Sequence, residues 1–239
     1  GIDPTFKDGA VALLHSVGAD LDEWSPGVGR GEPAAIAALT KALALRGIVT
    51  GVAGTTAVLS GVEHLVSHML DQHHAAHGEP IGLHGAQVGV AGVIAAAAWE
   101  LCIDRLDAGT DAAQAARAPE ATQTALACID EAAFDHAAAR ERVFAAFGSL
   151  DRTGGIAQEC WNDYSAKLGD LARLRPQLEA FLAGWAEHRA TIVDLVRPSA
   201  AFAAGLRSAG AAATFAELTP VVSDDLGRWA LTNCALMRR

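Results

Sequence analysis

An all-α fold is what this sequence predicts, and three observations carry the expectation. Half of the 239 residues are apolar, and alanine, the best helix former, dominates them. Apolar residues recur at helical spacing in segments bounded by glycine and proline. No segment sustains the every-second-residue alternation of a half-buried strand, so essentially no sheet is expected.

Taken in order, residues 1–6, GIDPTF, read as an expression-vector remnant, and residues 7–239 form the expected helical domain. Lys7 to Val17 has helical apolar spacing. Asp20 and Asp22 read as surface charges in a loop, and Ser25 to Gly31, SPGVGRG, as a glycine-containing loop. It does not fit G-x-G-x-x-G and no strand precedes it, which excludes a dinucleotide turn. Glu32-Pro33 opens a helix, with proline in its first turn and Gly47 as a C-cap. Gly47 to Thr56 is small and apolar enough to continue as a helix packed closely against another backbone. Ser60 N-caps the next helix. After the break at Gly78-Glu79-Pro80-Ile81-Gly82, His84 to Leu106 reads as one long buried helix. Its Gly85, Gly89 and Gly92 would admit a close neighbour.

Asp107 to Pro119 reads as a polar linker, followed by helices over Glu120 to Glu131 and Phe134 to Phe147. Gly154-Gly155 precede a helix from Ile156 to Leu168. Arg175-Pro176 marks a bend or boundary, and Gln177 to Val196 is amphipathic. Pro198 opens a short helix closed by Gly210. Phe215 to Pro220 forms a turn, and Asp224 to Met237 the last helix.

The net charge of −10 and the lack of a basic stripe argue against a nucleic-acid partner. Cys102, Cys128, Cys160 and Cys234 lie far apart without a C-x-x-C pair, and read as reduced, mostly buried thiols of a cytoplasmic protein. The longest uninterrupted apolar run, Val88 to Trp99, falls short of the ~20 residues a bilayer requires. Neither a signal peptide nor a membrane partner is expected.

The chemistry concentrates in Ser60 to Gly92, SGVEHLVSHMLDQHHAAHGEPIGLHGAQVGVAG, which holds six of the nine histidines. His64 and His68 are four apart, one turn from each other on one helix face. The Gly/Pro break lets the chain reverse, so that His84 can face them from the next helix. Neutral imidazole is a common ligand for zinc and suits iron and nickel, and a two-histidine site needs at least one further ligand. His73, His74 and His77 read as part of a solvated turn.

The pair SGVEHLVSHMLD and LHGAQVGVAG resembles the C-terminal half of sn-glycerol-1-phosphate dehydrogenases, within the iron-containing alcohol dehydrogenase and dehydroquinate synthase superfamily. The resemblance implies a fold like the C-terminal, helical metal-binding domain of those proteins. It implies that His64 and His84 bind the metal and that His68 faces the substrate or relays its proton. It also implies an upstream nucleotide-binding domain with a GGG turn and an aspartate ligand, neither of which this sequence shows. NAD(P) would therefore bind only through that absent domain, and the divalent metal, whether zinc, nickel or iron, would be weakly held. The ligand implied is a small polyol or polyol phosphate, with a homo-oligomer left open. Two departures stand out. Ala57-Val58 replaces an Arg-Pro that would suit a phosphate, and Ala86 replaces a glutamate after His-Gly. Glu63 and Asp71 remain as carboxylates able to orient the histidines. Two functions compete: the metal- and substrate-binding half of a dehydrogenase, inactive alone, or a non-catalytic helical metal-binding or interaction module. A dehydroquinate synthase-like lyase fits the histidine pattern but not its flanks.

Overall fold

A computed structural model of the chain describes residues 12–13, 21–54, 60–116, 135–151 and 153–237, with 109–116 by backbone alone. The fold is all-α: no strand occurs among the described residues. The helices are α1 (Leu21–Gly29), α2 (Pro33–Ala53), α3 (Val62–His77), α4 (His84–Ala116), α5 (His136–Phe147), α6 (Gly155–Ala183), α7 (Trp185–Leu195), α8 (Ser199–Ser208) and α9 (Asp224–Asn233). Short 3-10 turns cover Phe215–Glu217 and Cys234–Leu236. The helices expected over Lys7 to Val17, apart from its helical residues 12 and 13, and over Glu120 to Glu131 lie outside the described residues.

The chain forms two compact units. The first comprises Gly1–Ala95 and Ser199–Ala235, and the second Ala96–Pro198 and Leu236–Arg239. In the first unit, α1 packs on α2 and α8, and α3 packs on α9. The expected loop at Ser25 to Gly31 is instead helical through Gly29, with Pro26 inside α1 and Asp22 in its first turn. Small residues explain it. Ser25 is buried and its hydroxyl bonds that of Ser208 at 3.1 Å. A Cβ on Gly29 would stand 2.9 Å from the Ser208 carbonyl oxygen, so glycine permits the approach of α8. Tertiary packing here overrides the local weakness of Gly and Pro in helices.

Helix α2 passes Gly47 and ends at Ala53, where Gly54 takes the left-handed conformation (φ 67) that L side chains avoid. Gly47 and Gly51 would meet nothing within 4 Å if given a Cβ, so the close packing expected there is absent among the described residues. Leu43, Ile48 and Val52 on this helix are exposed. The N-cap of α3 is Gly61 rather than Ser60. The glycine expectation holds in α4 at two of three positions. Gly89 faces Leu206, and a Cβ on Gly92 would reach 3.0 Å from the Phe202 ring, both on α8.

Two helices, α2 and His84–Ala108 within α4, are long and apolar enough to cross a membrane by length and composition alone. Neither stretch is one uninterrupted apolar run, because polar residues such as Lys41 and Glu100 break them. Core helices of water-soluble proteins pass the same test.

In the second unit α4 continues to Ala116, through the stretch read as a linker. Asp107 ties this stretch to α7. Trp185 Nε1 donates to Asp107 Oδ1 at 2.9 Å, and Arg189 grips both carboxylate oxygens at 2.8–2.9 Å. Beneath them Ile103, Leu106 and Trp185 form a buried cluster with Phe181, Leu182, Ile192 and Val196. Trp99 and Leu101, expected to be buried, are half exposed. The boundary expected at Pro176 also moves. Helix α6 runs through that proline to Ala183, with the Arg175–Glu179 pair at 3.0 Å spanning it, and the break falls at Gly184. Helices α5 and α6 pack through Ala139, Val143, Phe147, Ala157 and Cys160, all buried. Burial pushes the Cys160 thiol up to about 11, so it is inert at neutral pH. Cys234 is buried as expected, Cys102 is exposed, and Cys128 lies outside the described residues.

The Arg189 guanidinium holds the Asp107 carboxyl below its ordinary value, reinforced by the Trp185 hydrogen bond against a smaller opposing effect of burial. Its folded-state value is below its unfolded one, so its contribution is complete above the ordinary carboxylate range and is lost as pH falls through the depressed value. Acid titration followed by Trp185 fluorescence should show this unit loosening below about pH 4. Asp107→Asn should remove that acid dependence and lower stability at pH 7.

Candidate metal and substrate site

The site is built by α3 and the first turn of α4, both in the first unit. At the start of α3, Glu63 folds back so that Oε1 accepts from the Gly61 amide at 2.9 Å. The same oxygen lies 2.9 Å from His64 Nδ1. Burial raises the Glu63 carboxyl, but hydrogen bonds from His64 and from the Glu63 and Gly61 amides outweigh it, leaving the group below its ordinary value. Glu63 is thus a carboxylate, an acceptor only, and His64 Nδ1 carries the hydrogen. In the neutral ring this tautomer leaves the lone pair on His64 Nε2.

His84 is held from the other side. Ser67 is fully buried, and its hydroxyl donates to Gln87 Oε1 at 2.6 Å. Its one hydrogen being used, the Ser67 oxygen accepts from His84 Nδ1 at 2.8 Å. The bond again leaves His84 with a free Nε2 lone pair.

The structure brings the three sequence-predicted histidines together. The His64 and His84 ring centroids are 5.3 Å apart, and those of His68 and His84 5.7 Å. His64 and His68 are half-buried and His84 is exposed, so the group opens at the surface of the unit. Two imidazoles with fixed Nδ1–H and free Nε2, joined by a third, suit a borderline-soft divalent cation or a hydroxylated ligand.

Ser67 and Gln87 were missed by sequence reasoning, although a signal existed: each is a small or neutral polar residue on a face otherwise apolar. Of the two carboxylates singled out, Glu63 orients His64, whereas Asp71 Oδ1 is buried with no hydrogen-bond partner. Ala86 is half-buried on α4, and Ala57 and Val58 lie outside the described residues.

The expectation for His73, His74 and His77 needs correction. They lie on the last turns of α3 rather than in a turn, and His74 is 2% exposed. Amphipathicity explains it, since His74 lies four residues beyond buried Leu70 on the same face. His73 stacks on His77 at 4.1 Å and stands 5.6 Å from the Trp229 ring. Burial, then the neighbouring His77, lowers the His73 imidazole below its ordinary value.

Comparison with known proteins places the likeness in one family. The chain is 34% identical over 89 residues to "Glycerol-1-phosphate dehydrogenase [NAD(P)+]" of Natronomonas pharaonis, 37% of this chain and 24% of that protein. It is 33% identical over 94 residues to the same-named protein of Haloquadratum walsbyi, 39% of this chain and 26% of that one. The chain thus matches about a quarter of the length of these curated relatives. No family model and no solved structure matches it.

Replacing Ser67 by alanine leaves a buried Gln87 acceptor and His84 Nδ1 without their partner. It should cost about 1–3 kcal/mol in denaturant-measured stability. The His84 imidazole should also lose its fixed tautomer, seen as exchange between two sets of ring resonances by nuclear magnetic resonance.

Proposed function

We propose that this chain is the metal- and substrate-binding part of a metal-dependent, NAD(P)-dependent polyol or polyol-phosphate dehydrogenase of the glycerol-1-phosphate dehydrogenase type. The observation that supports it best is the pair of imidazoles held through Nδ1, His64 by Glu63 and His84 by Ser67, with both Nε2 atoms free. A carboxylate or hydroxyl behind each ligating histidine is the arrangement that raises its basicity and fixes its ring. The donor set fits zinc, nickel or iron, with His64 and His84 as ligands and further positions left for substrate and water.

When bound, the metal supplies Lewis acidity at a substrate hydroxyl. The chain's own residues do the rest. Glu63 and Ser67 hold the two ligating rings. His68, one turn along from His64, hydrogen-bonds the substrate hydroxyl or takes its proton. Val62, Ile81 and Leu83, near the histidines in sequence, are exposed. NAD(P) belongs to a nucleotide-binding domain other than these helices, and the fit of a phosphate is left to residues beyond Ala57 and Val58.

A second reading, a non-catalytic helical metal-binding or interaction module, draws on Ala86, which stands where the resemblance implies a glutamate, and on the exposure of His84.

Zinc titration of the purified chain in competition with a chelator tests the first reading. His64→Ala and His84→Ala should each abolish one weak, exchangeable equivalent, and that equivalent should weaken as pH falls and the imidazoles protonate. His68→Ala should retain the metal but weaken binding of glycerol 1-phosphate to the zinc-loaded chain. An unchanged metal equivalent in both ligand variants overturns the metal assignment. Metal binding without any response to glycerol 1-phosphate favours the non-catalytic module.

A further inference from the structure

At the other end of α3 from the histidine triad, a buried imidazole lacks hydrogen bonds. His74 is 2% exposed, and its Nδ1 is buried without a partner. Its Nε2 faces Glu79 Oε2 at 3.9 Å, beyond hydrogen-bond reach. His73 Nδ1 is likewise buried and unpartnered. A buried polar atom with no partner is uncommon, and two imidazole Nδ1 atoms in that condition on adjacent residues call for an explanation.

The backbone supplies the third group. Gly78 adopts the left-handed conformation (φ 68), and the Glu79 amide donates to the His74 carbonyl at 2.8 Å. This reversal at the helix end carries Glu79 back over the last turn, beside His74. One ligand atom from each of His73, His74 and Glu79 lies within 4.8 Å of the others. The carbonyl end of a helix adds partial negative charge that favours a cation.

From this geometry we propose that His73, His74 and Glu79 form a second divalent-cation site, separate from His64, His68 and His84. Two imidazoles and one carboxylate suit zinc, with a fourth position left for water. Glu79 is half exposed and free to swing toward the two rings, closing the spacing to that of a coordination shell. His77 supports the site without joining it. Its Nδ1 donates to the His73 carbonyl at 2.8 Å and its ring stacks on His73. Trp229 of α9 lies against His73, so an ion bound there sits beside a fluorophore.

The test uses the full chain carrying His64→Ala and His84→Ala, which removes the first site. With zinc alone as probe, about one equivalent should remain bound, and adding Glu79→Gln or His73→Ala should weaken it. The loss should exceed the ~10–100-fold that follows removal of a ligand's hydrogen-bonded supporter. Cobalt(II) should quench the Trp229 emission, and Trp229→Phe should abolish that quenching. Both added variants change residues that are at least partly exposed, and circular dichroism should show that they keep the helical fold. Zinc affinity unchanged by Glu79→Gln, or no zinc bound once His64 and His84 are replaced, overturns the proposal. Loss of metal only through His64→Ala or His84→Ala would sink this site and leave the triad intact; the reverse pattern would do the opposite.

Discussion

One hydroxyl group joins the two helices on which the histidine site depends. Ser67 is on α3, is fully buried, and carries a single hydrogen that Gln87 of α4 takes. That leaves its oxygen no role but acceptor toward His84 Nδ1. The direction of every bond in the series is therefore fixed, and the free lone pair of His84 follows from it. Ser67 and Gln87 are both buried, so either one left unmatched keeps its full desolvation cost. The hydroxyl decides which nitrogen of His84 faces outward.

Helix α3 carries polar chemistry at both ends of an apolar middle, and the ends differ in kind. Glu63 sits in its first turn, where a negative charge complements the exposed amides, and His73, His74 and His77 gather near its last carbonyls. Val66, Met69 and Leu70 between them are fully buried and anchor the helix. A rigid, anchored segment with charge-matched termini holds side chains at fixed separations more reliably than a loop does.

Periodicity made part of this legible from sequence. The spacing of His64 and His68, and the Gly/Pro reversal before His84, follow from helix geometry and need no knowledge of neighbours. Helix type was readable for the same reason, because alanine and spacing act locally. What escaped was decided by partners distant in sequence. Asp107 looks like linker until Trp185 and Arg189 grip it. Ser25 to Gly29 looks like a loop until α8 presses on its small residues. His74 looks solvated in a run of histidines and turns inward only because the apolar stripe of α3 continues through it. Pro176 looks like a stop, yet α6 runs through it to Ala183.

The first unit is discontinuous, its two segments separated in the chain by nearly all of the second. Its Ser25–Ser208 hydrogen bond closes a span of 183 residues. Such a closure costs entropy that grows with the length of free chain enclosed, and a prior collapse of the intervening segment shortens that length. During synthesis, α1 to α3 leave the ribosome long before α8 and α9 exist to cover them. The apolar faces of α1 to α3 are therefore exposed for the time it takes to make the intervening residues. The earliest helices of the first unit are thus the ones that wait longest for their partners.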